Sequence, residues 1–164
     1  MTHFLPRQPS TQKFNRRVAV AALLGALLGP SVWAQDVQVQ DAWARATVPG
    51  QKATGAFMRL TSPHGTRLKS LTTPVAGVAQ VHEMRLEGDI MKMQALENGL
   101  ELPAGKTVEL KPGSYHVMLL DLKMPLRKDS TIPLTLVFVD DKGVQSKLEL
   151  TVPVSMAPPN TAQK

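Results

Sequence analysis

Residues 81–93 read VHEMRLEGDIMKM. Gly88-Asp89 is a two-residue hairpin signal with alternating side chains on both flanks. A turn there pairs Glu87 with Ile90, Leu86 with Met91, Met84 with Met93 and His82 with Ala95. Alternate residues of a strand share a face. His82, Met84, Met91 and Met93 are therefore expected on one face, and Glu83, Arg85 and Lys92 on the other. Met93 is then diagonal to His82, at a separation of about 7 Å that long side chains can close.

Working outward, the same period-two pattern recurs. Candidate strands are VQVQDAWAR, GAFMRLTS, TRLKSLTT, AQVHEMRL, IMKMQAL, KTVELK, YHVMLLDL, PLTLVFVD and VQSKLELTVPV. Gly- and Pro-bearing breakers separate them at 48–50, 62–65, 73–77, 103–106, 111–113 and 140–143. Short alternating runs at this spacing predict an all-β sandwich or barrel in a single domain. No helical stripe and no internal repeat interrupts the pattern.

The N-terminus reads differently. Arg7, Lys13, Arg16 and Arg17 precede the apolar run VAVAALLGALLG, and Val32-Trp33-Ala34 follows, ahead of the polar Gln35-Asp36. A basic region, an apolar run of 12 residues too short to span a bilayer, and a small residue at the end predict a signal peptide over residues 1–34, cleaved after Ala34. The protein is thus expected to be periplasmic, with no membrane span after cleavage. The mature part, 130 of the 164 residues, is long enough for one buried core. The chain has 19 basic and 13 acidic residues, and four of the basic ones lie in the leader. The mature balance is therefore fifteen against thirteen, and no basic run interleaved with aromatics points to nucleic acid. The tail, 156–164, is polar and Pro-bearing and is expected to be disordered.

The chain contains no cysteine, so disulfides and thiolate ligands are excluded. What it offers instead is histidine beside thioether. In YHVML, residues 115–119, His116 and Met118 share a face, at the start of a strand that follows Lys111-Pro112-Gly113. Imidazole nitrogen with thioether sulfur is a soft donor set that suits Cu(I) far better than Ca, Mg or Mn. The same methionines also fit a role as apolar fillers, and Met58, Met84 and Met91 are read as core or pocket lining. Strand parity alone does not choose among Met84, Met91 and Met93. His64, in the Ser-Pro-His-Gly turn, is expected to be solvated. No HExxH, EF-hand, GxSxG, Walker or GxGxxG motif occurs, so nothing nominates a nucleophile and the protein is not read as an enzyme.

Taken together, DAWARATVPG (41–50), TGAFMRL (54–60), VHEMRLEGDIMKM (81–93) and LPAGKTVELKPGSYHVMLLDL (102–122) resemble the PCuAC-type periplasmic copper chaperones. The likeness covers nearly all of the mature chain. It implies a cupredoxin-like Greek-key β-sandwich or barrel over 35–155. The family's signature is a histidine, a methionine after ten intervening residues, and a distal H-x-M. Carried over, it implies that His82, Met93, His116 and Met118 bind one Cu(I) per monomer. It further implies delivery of copper to the CuA site of cytochrome c oxidase, alongside Sco-type proteins, or a wider part in copper handling. Some members carry a His- and Met-rich extension for a Cu(II) ion. This tail has Met156 and no histidine, so that second site is not expected.

Three other readings compete. A blue-copper electron carrier needs a cysteine thiolate, which is absent. A copper sequestration or tolerance protein would use the same donors, and a metal-free β-sandwich adaptor would use none of them.

Overall fold

A computed structural model describes residues 37–159. The signal peptide expected over 1–34 and the last five residues of the tail lie outside the described residues. Ten strands and no helix make up the described part: β1 (Gln38–Arg45), β2 (Ala53–Thr61), β3 (Thr66–Thr72), β4 (Ala76–Glu87), β5 (Ile90–Ala95), β6 (Leu100–Leu102), β7 (Thr107–Leu110), β8 (His116–Leu122), β9 (Thr131–Val139) and β10 (Gln145–Ser155). Nine correspond to the alternating runs. The tenth, β6, is three residues long, too short for a period to show, and it exists because it pairs with β3 through Leu68 and Leu100.

Hydrogen bonding runs in the order β5-β4-β8-β2-β1-β10-β9-β3-β6, with β7 also on β2. The chain changes sides repeatedly. Strands β1, β2, β4, β5, β7 and β8 build one sheet, and β3, β6, β9 and β10 build the other. A short parallel seam, Ala44 to Val154 and Arg45 to Ser155, joins them along one edge. The fold is therefore an all-β sandwich that is continuous on one side.

Alternation decides what fills it. Ala56, Met58 and Leu60 of β2 and Val117 and Leu119 of β8 meet Leu134, Leu136 and Phe138 of β9 in one buried cluster. Each is at most 2% exposed. Met58 is thus a core residue, as its pattern suggests. Asp41 sits in the left-handed region, φ 51°, where the β1–β2 register shifts between Gln40 and Trp43. Aspartate tolerates that conformation, and its carboxylate is ion-paired with Arg59. The bulge re-aims the end of β1, so that Trp43 and Arg45 face away from the core.

Trp43 and Phe57 are buried, yet neither belongs to the central cluster. Their rings pack on each other, centroids 4.6 Å apart, on the outer face of the first sheet. This second, smaller apolar platform positions the site described next.

Candidate metal centre

The hairpin register is the one expected from Gly88-Asp89: Glu87 to Ile90, Leu86 to Met91, Met84 to Met93 and His82 to Ala95. On its other edge β4 pairs with β8, and His82 lies directly opposite His116. The two rings are 6.0 Å apart between centroids. Met118, two residues along β8, pairs with Gly55 of β2 and with Gln80 of β4. Continuing the β2–β8 register by one step sets Phe57 beside His116, and Trp43 pairs with Phe57. One transverse row therefore crosses five strands: Ala95, His82, His116, Phe57, Trp43. Because Val81 and Val117 face the core, this whole row faces outward.

A cavity of about 340 Å³ opens on that face, bordered by Met84, Met93, His116, Met118, Phe57 and Arg45 among others. Three of the four residues named by the family signature thus reach one cavity. The fourth, His82, adjoins it through His116. Exposure is graded across the group. His116 is 8% exposed and Met93 is 50% exposed, with His82, Met84 and Met118 between them. The group is therefore covered at its β8 side and open to solvent at its β5 side.

The histidines are held so that each keeps one lone pair for a ligand. His116 Nδ1 donates to the Ser114 carbonyl at 3.0 Å, which leaves Nε2 as the acceptor nitrogen. His82 Nε2 lies 3.3 Å from Gln80 Oε1; with the proton there, the free lone pair is on Nδ1. That Nδ1 is buried and has no hydrogen-bond partner. A buried, unpaired nitrogen costs roughly 1–3 kcal/mol unless something ligates it. Burial, and then the neighbouring His116, also hold the His82 pKa below its usual value and so favour the neutral ring a metal needs.

The donor set is chemically narrow. No cluster of three or more His, Cys, Asp or Glu occurs among the described residues, so a hard oxygen site for Ca or Mg is not built here. The surrounding charge agrees. Arg45 lies over Phe57 and Trp43, its guanidinium carbon 5.4 and 5.9 Å from their centroids, and it borders the same cavity. A fixed cation beside neutral donors disfavours a divalent ion more than a monovalent one.

The remaining methionines separate as parity alone did not allow. Met84 borders the cavity. Met91, read from the sequence as lining, is 51% exposed, with Leu86 and Ile90 exposed around it. The β4–β5 ribbon projects past the start of β8 at His116, so among the described residues no strand or second layer covers it. His64 is exposed, as its turn position suggests. What the sequence did not yield was the Trp43–Phe57–Arg45 wall. Its only sequence signal is that Gly55 and Phe57 share a parity with each other, opposite to that of Met58.

Comparison with known proteins bears on the family and the fold. Residues 37–154 match the family described as "Putative lipoprotein LpqE-like". "Putative lipoprotein Lxx21020" of Leifsonia xyli subsp. xyli is 33% identical over 141 residues, 79% of this chain and 85% of that protein. Among solved structures, the Cu(I) form of DR1885 from Deinococcus radiodurans is 29% identical, with TM-score 0.60, covering 77% of this chain and 83% of that one. The copper-bound PCuAC domain from PmoF2 is 20% identical, with TM-score 0.58, covering 74% and 93%. The chain belongs to the LpqE-like family, and its fold is that of the PCuAC-type copper chaperone domains.

Proposed function

We propose that the protein is an exported Cu(I) metallochaperone. In this reading His82, Met93, His116 and Met118 bind one ion and pass it to an acceptor, the CuA site of cytochrome c oxidase or a Sco-type partner. The observation that carries the reading is the pairing of two histidines across β4 and β8, each with a nitrogen free for a ligand, on a face where thioethers border an open cavity. Four neutral donors hold a monovalent ion without burying net charge, and an outward-facing site lets an acceptor approach. Similarity to copper-bound PCuAC domains supports it. So does the absence of any thiol, since thioethers stay available as ligands in an oxidising compartment.

The family name and the Leifsonia relative support export. The chain has no cysteine, so no residue of it can take a thioether-linked lipid. The reading includes cleavage after Ala34 and a periplasmic location. Native mass spectrometry of the mature protein with Cu(I), under reducing and anaerobic conditions, should show one ion per monomer. Mixing that form with a CuA-domain fragment should move the ion. Absence of the one-ion species refutes the copper reading; uptake without transfer refutes the acceptor and leaves sequestration.

A further inference from the structure

The proposed site has a sulfur too many. On the sheet lattice, Met84 is directly across from Met93 and shares a face with His82, while His82 is directly across from His116. Strands lie about 4.8 Å apart and residues rise about 3.3 Å along them, so Met84 is one strand and two residues from His116, about 8 Å. Met93 is two strands and two residues away, about 12 Å by the same spacing. The midpoint between His116 and Met93 therefore falls over β4 between His82 and Met84, about 3 Å along the strand from each, so a long side chain at Met84 can reach an ion held there. Met84 also borders the cavity that holds Met93, His116 and Met118.

Resting on the copper reading above, we propose that Met84 is a third thioether donor for Cu(I), interchangeable with Met93. Met84 is half-buried and Met93 is half-exposed at the open rim. They form an inner and an outer sulfur. When Met93 swings toward an incoming acceptor, Met84 keeps the ion coordinated, so release needs no under-coordinated intermediate. No bond other than Cu–S is made or broken, and the copper stays Cu(I). Met91 has the same side chain and parity but stands beyond the cavity, so it cannot substitute.

The test is a double-mutant cycle on the full mature protein, with competing Cu(I) chelators, thermal melts and X-ray absorption counting of sulfur neighbours. Met84→Leu and Met93→Leu roughly conserve volume. Each single variant should lose about tenfold in affinity or less, and the double variant at least about tenfold more than their product. Met93→Leu should keep the wild-type sulfur count, because Met84 replaces the missing donor. Met91→Leu should match wild type. If Met93→Leu alone loses a sulfur neighbour and as much affinity as the double variant, Met84 is not a donor and the proposal fails while the copper reading stands. If wild type takes up no Cu(I), both fail.

Discussion

Gly55→Ala is the substitution that most directly tests how the aromatic wall shapes the site. Gly55 pairs with Met118, and the Phe57 ring folds back over it: a Cβ at position 55 would stand 2.7 Å from Phe57 Cζ and 3.3 Å from Cε2. The ring must withdraw to the 3.4 Å or more of an ordinary contact. It has little room, being 5% exposed, stacked on Trp43 and capped by Arg45. Overpacking of this kind costs about 1–3 kcal/mol. The lower unfolded-state entropy of alanine returns about 0.4–1 kcal/mol, since Gly55 has no positive φ to forbid a side chain. The net cost is about 1–2 kcal/mol, which for a domain of this size is a fall in Tm of about 4–8 °C. Because the displaced ring borders the cavity beside His116 and Met118, Cu(I) affinity should also fall, by about tenfold, as when a supporting neighbour of a metal ligand is lost. Scanning calorimetry of the apo protein and chelator competition measure the two effects. Phe57→Leu added to Gly55→Ala should recover most of the Tm and little of the affinity. A Gly55→Ala protein with wild-type Tm and wild-type affinity would refute the reasoning.

Other outcomes follow from the same geometry. Met118→Leu keeps the apolar volume, so it should cost less than about 1.5 kcal/mol of stability, while Cu(I) affinity falls well beyond that of Met91→Leu in parallel titrations. The low His82 pKa means that the unfolded chain takes up its proton first as pH drops below about 6.5. Apo stability from this group is thus complete above that pH and is lost as pH falls toward the folded value; melts from pH 8 to 5 should show the loss, and His82→Gln should reduce it. Cu(I) affinity should decline in acid too, and flat binding down to about pH 5 would exclude the histidines as ligands. Gly99→Ala should destabilise by about 2 kcal/mol or more, read as a lower urea midpoint, because its φ of +78° is compounded by a Cβ only 2.3 Å from the Leu68 carbonyl oxygen.

The amino-acid sequence by itself determined the features set by local covalent geometry. Period-two alternation and turn residues marked nine of ten strands, and Gly88-Asp89 sufficed for the β4–β5 register down to each pair. Parity also put His82 with Met84 and His116 with Met118, because successive side chains on a pleated strand must point to opposite sides. Only the tertiary structure decided which of those sides is covered, since that depends on pairings between residues far apart in the chain. The His82–His116 pair joins β4 to β8, the Met118–Gly55 pair joins β8 to β2, and the β1–β10 seam joins the sheets. These pairings turn Met58 into the core, leave Met91 in solvent, and gather Met84, Met93, His116 and Met118 around one cavity backed by Trp43 and Phe57. Five methionines of identical chemistry acquire different surroundings because burial is a property of the assembled sheets, and no local pattern encodes where a strand's neighbour ends.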